Sequence, residues 1–257
     1  MIQTQTENII EVRNLTAGYG DDIIFDDISF DVKRGEVFVI LGGSGCGKST
    51  LLKQMIGLYK PRAGEILIEQ SDIAAAEGKA RLEILNRIGV MYQSGALFGS
   101  MNFLENVMLP LEEFTQLPEP ARRSVAALKL MLVGLQGFEQ HMPSEISGGM
   151  QKRAAIARAM ALDPRILFLD EPSAGLDPVT SAELDQLILK LSKNLGITFV
   201  IVTHELDSIY SIAGRVIMLD KKTKKIIAEG DPKDLKDHSS NENVRKFFNR
   251  QVSKDEL

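Results

Sequence analysis

At 257 residues, with 44% hydrophobic and 25% charged side chains, the chain has the make-up of a folded domain, which excludes disorder, collagen-like repeats and a disulfide scaffold. Thirty Lys+Arg against thirty-five Asp+Glu leave a net charge of -5, which argues against a protein that holds nucleic acid through its phosphates. The single cysteine, Cys46, can form no intrachain disulfide, so nothing requires an oxidising compartment.

No apolar run approaches the roughly 20 residues of a membrane-spanning helix, so the chain is not expected to cross a membrane alone. Residues 1–8 are polar and lack the cationic flank and apolar stretch of a signal peptide. Residues 9–30 and 64–69 alternate or carry β-branched side chains around Gly18, Gly20 and Asp21-Asp22, which predicts an antiparallel sheet. Continuous apolar runs at 37–41, 88–92, 166–169, 197–202 and 216–219 read as strands buried on both faces, the pattern of a parallel sheet. A helix over 48–58 follows the first run, with Gly57 as its stop signal and Pro61 beyond. Residues 94–162 show no strand pattern; the stretch 122–135 and the Ala-rich 150–162 predict a helical insertion. A further helix over 180–195 places Leu184, Leu187, Ile188, Leu191 and Leu195 on one face and ends before Gly196. The expected fold is therefore α/β, with a mainly parallel sheet, an antiparallel β subdomain and a helical subdomain at about 94–162. One large domain is expected over 1–237. Residues 238–257 are the expected tail, and the segment 233–257, polar except for Leu235, Val244, Phe247, Phe248 and Val252, predicts one short amphipathic helix. The last four residues, Lys254-Asp255-Glu256-Leu257, spell a retention signal of the endoplasmic reticulum, and without a signal peptide they read as a solvated tail that spells it by chance.

Three motifs carry chemistry. Gly42-Gly43-Ser44-Gly45-Cys46-Gly47-Lys48-Ser49, with Thr50 after it, fits a phosphate-binding loop between a buried strand and a helix. Glycines let backbone N–H groups turn toward phosphate, the helix dipole adds positive potential, Lys48 reaches the β and γ phosphates of ATP, and Ser49 ligates Mg2+. Cys46 in that loop, near a helix N-terminus, is expected to carry raised thiolate character, with a merely buried thiol as the alternative. The apolar run 166–169 ends in Asp170 and Glu171. In an open parallel sheet that places Asp170 where the Mg2+ would lie and Glu171 where an attacking water would lie. Finally Ser147-Gly148-Gly149-Met150 opens the Ala-rich helix, with Ser147 placed to cap it and two glycines exposing backbone N–H groups.

A second phosphate-binding helix terminus shortly before the carboxylate pair resembles the signature of the ATP-binding cassette (ABC) family, with Ile146 in place of leucine and Met150 in place of glutamine. The resemblance spans residues 9–232 and implies a P-loop NTPase core. It also implies that Tyr19 stacks on adenine (a partly buried strand tyrosine being the competing reading), that Gln93 touches Mg2+ and water and senses a membrane partner, that residues 173–177 meet an opposite subunit, and that His204 contacts the γ phosphate. The wording of 94–98, 117–119 and 143–153 is similar to the ATPase of Mla-type phospholipid transporters, which work with an MCE-domain protein in double-membraned bacteria. That likeness implies a homodimer, an integral-membrane permease, an MCE-domain protein, an accessory subunit, no nucleic acid, and a place on the cytoplasmic face of the bacterial inner membrane. The rivals are a chromosome-maintenance ATPase, for which residues 94–146 are too short and too rich in Pro and Gly to form the long coiled coil, a cytosolic cassette protein without a permease, and a switch at the cell-division apparatus.

Overall fold

A computed structural model describes residues 7–251, so Val252 and the terminal Lys254-Asp255-Glu256-Leu257 lie outside the described residues. The chain opens with β1 (Asn8–Tyr19) and β2 (Asp22–Lys33), then β3 (Val37–Gly42), α1 (Lys48–Met55), β4 (Ala63–Ile68), the short β5 (Ser71–Asp72), α2 (Gly78–Leu85) and β6 (Ile88–Met91). A helical body of α3 (Phe103–Phe114), α4 (Glu119–Leu132) and α5 (Gly148–Ala159) follows. β7 (Ile166–Asp170), α6 (Pro178–Leu195), β8 (Thr198–Val202), α7 (Leu206–Ile212), β9 (Arg215–Leu219), β10 (Ile226–Gly230), α8 (Pro232–His238) and α9 (Glu242–Phe248) complete it.

One sheet is antiparallel, in the order β2-β1-β4-β5; the other runs β10-β9-β3-β8-β7-β6, parallel except for the β10 edge. The two-residue period of a strand decides which core each side chain joins. Val37, Val39, Leu41, Leu167, Leu169, Phe199 and Ile201 enter the larger core with the helices, while Phe38, Ile40, Ile166, Phe168, Val200 and Val202 meet the antiparallel sheet and α1 on the other face. Strands covered on both sides must be apolar at every position, which is why they read as unbroken runs. Among the described residues no helix is long and apolar enough to cross a membrane.

The structure differs from the expectation at several elements. α1 stops at Met55 rather than 58, because Gly57 takes φ 73 while its N–H bonds Gln54 O and that of Leu58 bonds Lys53 O, a left-handed helix terminus. α3 lies within the expected helical subdomain, though no helix is singled out there by the sequence. It carries Pro110 inside, yet its start is fixed by a capping box between Asn102 and Glu105. Among the described residues the segment from 233 on holds most of α8 as well as α9, where one helix was expected, and Val244 and Phe248 of α9 are fully buried in the larger core, where Tyr210 donates its hydroxyl to Phe248 O at 3.0 Å.

Candidate active site

Gly42 ends β3 and Lys48 opens α1, so five residues join a buried strand to a helix N-terminus. Gly47, at φ 103, caps the helix without any side-chain bond, and a Cβ there would collide with Ile24. Only bare backbone fits, and the first N–H groups of α1 are left for an external acceptor. The Lys48 ammonium lies across the loop, donating to Gly42 O at 2.8 Å and Gly43 O at 3.2 Å. A cavity of about 260 Å3 is lined by Ile24, Gly45, Gly47, Lys48, Ser49 and Thr50. Larger clefts of about 520 and 490 Å3 lie elsewhere and are lined by none of these groups. Tyr19, half exposed, sets its hydroxyl 3.4 Å from Thr50 Oγ1 and its ring edge-on to Tyr59. Cys46 corrects the expectation of a thiolate: it is 2% exposed, and burial pushes the thiol up in pKa, with Lys48 only partly opposing.

Register lines up the remaining groups. Ile40 and Asp170 both pair with Val202, and Met91 pairs with Leu169, so the loop, Asp170, Glu171, Gln93 and His204 leave the carboxyl ends of neighbouring strands at one edge. Burial and the adjacent Glu171 push the Asp170 acid up in pKa, and Lys53 and Lys48 oppose them. Glu171 is nearly buried and adopts a left-handed backbone at φ 47, pinned by its N–H to Val202 O at 2.8 Å. Its Oε1 lies 2.8 Å from His204 Nδ1, and its Oε2 is buried with no partner. A carboxylate accepts the Nδ1 proton, which leaves Nε2 as the ring's remaining polar atom. An orphaned, buried carboxylate oxygen on the strand end next to the loop has no part in holding the fold together and calls for a functional explanation. Among the described residues no cluster of three His, Cys, Asp or Glu could hold a metal alone. Ser49, Gln93 and Asp170 offer hard oxygen donors in the number that suits Mg2+ sharing its shell with phosphates and water.

The signature residues are not brought to this edge. Ser147 Oγ accepts from Met150 N at 3.3 Å and caps α5, which packs on α3, α4, α6 and β6, whereas α1 packs on β3, β7 and β8. Ser147 and Gly148 are exposed; Gly149 is buried against Thr180 of α6, and Met150 packs its side chain against the larger core. Sequence reasoning missed Lys152 and Arg158, whose side chains bond the carbonyls of Gln93, Gly95 and Ala96, and Asn106, fully buried, which holds Phe98, Met101 and Asn102. Each acts on main-chain atoms, so the only trace in the sequence is a polar residue on an otherwise apolar or Ala-rich helix.

Residues 25–174 match the ABC transporter family. The chain is similar to the intermembrane phospholipid transport system ATP-binding protein MlaF of Haemophilus influenzae, 42% identical over 89% of this chain and 86% of that protein. Its counterpart in Escherichia coli (strain K12) is 41% identical over 96% and 91%. A probable ribonucleotide transport ATP-binding protein, mkl, of Mycobacterium leprae is 44% identical over 93% of this chain and 68% of that protein. Among solved structures, the cbiO1 protein of Clostridium perfringens, part of the ABC transporter complex cbiONQ, superposes with TM-score 0.82 at 32% identity, covering 95% of this chain and 96% of that one. A dimeric ATP-binding cassette bound to ADP and Pi superposes with TM-score 0.76 at 33% identity, covering 86% and 98%. With the loop, the carboxylate pair and the signature cap all in place on this fold, the chain belongs to the ABC transporter family and is one of its ATP-binding cassettes.

Proposed function

We propose that this chain is the ATP-hydrolysing subunit that energises a phospholipid transporter, bound to an integral-membrane permease at the cytoplasmic face of a bacterial inner membrane and working with an MCE-domain protein and an accessory subunit. The observation that carries the catalytic half is Glu171, held nearly buried on strained backbone beside His204 with one oxygen buried and without a hydrogen-bond partner. In this reading the N–H groups of 43–49 and the Lys48 ammonium hold the β and γ phosphates, and the exposed Tyr19 ring stacks on adenine. Ser49, Gln93 and Asp170 would hold Mg2+, which when bound would supply positive charge against the phosphate oxygens. Glu171 takes a proton from the attacking water, and His204 keeps that carboxylate oriented through Nδ1. Ser147 and Gly148 of a second copy close the site, so ATP joins two chains and hydrolysis lets them part.

The cargo reading leans on the MlaF relatives, whose lengths this chain spans to 86% and 91%, more than the 68% it spans of mkl. Ribonucleotide transport, which the name of mkl carries, is the second reading. The test is reconstitution with the co-purifying membrane protein into phospholipid vesicles. Labelled phospholipid should move with ATP, and not when Glu171→Gln replaces the parent chain. Movement of labelled ribonucleotide without lipid would replace the cargo.

A further inference from the structure

Two cations of α5 lie outside the hydrolytic chemistry described above, although they grip its edge. Lys152, just over one turn beyond the Ser147 cap, is 8% exposed, and its ammonium donates to the main-chain carbonyl of Gln93. Further along the helix Arg158 donates to Ala96 O at 2.8 Å and to Gly95 O at 3.1 Å, with its guanidinium over the Phe98 ring. Gly95 and Ala96 both take left-handed backbone, at φ 73 and φ 49, so the segment leaving β6 is a tight, strained turn fastened to α5 by cations. Burial pushes the Lys152 ammonium down in pKa, and the Glu171 carboxylate opposes that shift. A buried cation whose hydrogen-bond acceptor is a neutral carbonyl is a destabilising choice. What the ammonium supplies is reach and a donor: it ties the segment leaving β6 to α5 at Gln93.

We propose that Lys152 is a positioning residue for Gln93: from the helix that opens at Ser147-Gly148 its ammonium fixes the Gln93 main chain, and so places the amide that joins the Mg2+ shell beside Glu171. This rests on the active-site reading above. The orientation of Gln93 then depends on α5, the element that meets the second copy, through one hydrogen bond. Arg158 fastens Gly95 and Ala96, beyond Ser94, and bears on Gln93 only through them.

The test uses the full chain in a Glu171→Gln parent, where the readout is ATP-dependent dimer mass as Mg2+ is titrated. Lys152→Met, which removes donor and charge, should raise the Mg2+ concentration for half-maximal dimer about tenfold, the lower end of what outer-shell ligand partners carry. The ATP concentration for half-maximal dimer at saturating Mg2+ should change by less than about twofold, since no phosphate contact is altered. Lys152→Arg should restore the Mg2+ midpoint. An unchanged midpoint in the Met variant overturns the proposal, as does a loss that Arg fails to restore. Should Lys152→Met not fold, Lys152→Ala, which removes the donor from an Ala-rich helix without adding bulk, decides: a raised midpoint supports the proposal, and a parental one overturns it. A parent that does not dimerise with Mg2+ and ATP at all brings down the active-site reading itself, whereas a dimerising parent with indifferent Lys152 variants removes only this inference.

Discussion

At Glu171 the chain places a non-glycine residue at φ 47, a conformation that destabilises by about 1 kcal/mol or more, and it does so next to a buried carboxylate oxygen without a partner. Neither feature helps the fold, so both point to chemistry. Glu171→Gln keeps the shape and removes the base; turnover should fall at least roughly a hundredfold, the scale of a lost general base. ATP-dependent dimer should accumulate meanwhile, because its exit route is closed. Measuring ATPase rate and dimer mass on one preparation checks this, and a monomeric variant that still hydrolyses ATP would contradict it. The phosphate loop and the Asp170-Glu171 pair were legible in the sequence because their geometry is local: a strand end, a few bare peptide groups and a charge at fixed spacing. Lys152 and Arg158 were not, since their acceptors are main-chain carbonyls 59 to 63 residues away. Of the two readings of Cys46, the buried thiol is the one the structure favours. Its Sγ is packed behind Gly42, where desolvation outweighs the pull of Lys48 and of the backbone N–H groups toward a thiolate.

Among elements, the two-face burial of β3, β7 and β8 made the parallel sheet readable, while helices whose partners are distant stayed hidden: α2 has only Ile84 buried, and α7 spans only seven residues. α9 was legible as an amphipathic helix, but that its apolar face closes onto its own core is a tertiary fact. Contacts between elements give two sharp expectations. Gly149 leaves no room for a Cβ against Thr180 Cγ2 of α6. Gly149→Ala gains at most about 1 kcal/mol of helix propensity and meets about 1–3 kcal/mol of overpacking, so a lower Tm is expected. Thr180→Ser removes that methyl and keeps the hydroxyl bonded to Asp177, so the double variant should recover; a double variant no more stable than Gly149→Ala would refute the clash. Asp185 of α6 is 3% exposed toward α7, and burial raises its pKa from 3.8 to about 6, with Ser208 bonding against the shift and Glu205 adding to it. The folded chain therefore binds a proton between about pH 4 and 6 that the unfolded chain has released, and stability drops as pH rises through that window. Asp185→Asn should stabilise by up to about 3 kcal/mol at pH 8 and by almost nothing below pH 4, measured by denaturant unfolding at both pH values. An equal effect at both would show that the carboxylate is not the cause.

On the scale of the whole molecule, the proposed phosphate site has one half on the parallel sheet and the other on the exposed start of α5, whose signature residues do not line the loop's cavity. Two-fold pairing solves this, because an isologous interface uses each half twice and builds two composite sites. The arrangement is testable without a structure of the dimer. Lys48→Ala removes the cation that reaches the phosphates from the loop side; Ser147→Arg replaces the cap hydroxyl by a bulky cation on the α5 side. Each variant alone should be inactive, since every site in its dimer contains the defect. In a mixed dimer both defects fall in one composite site, and the other is assembled from an intact loop and an intact signature. With random pairing and independent sites, half the dimers carry one working site of two, so an equimolar mixture should recover roughly a quarter of the parental ATPase rate. If instead each chain hydrolysed ATP with its own residues, mixing two inactive chains would yield nothing. The measurement is ATPase activity against mixing ratio, which under the shared-site arrangement rises to a maximum at one to one and vanishes at both ends. A flat line at zero would leave two explanations, a self-sufficient chain or strictly coupled sites, and they part on one further mixture. Parental chain titrated with Lys48→Ala should lose activity in proportion to the variant fraction if sites are independent, and as the square of the remaining parental fraction if both sites must fire together.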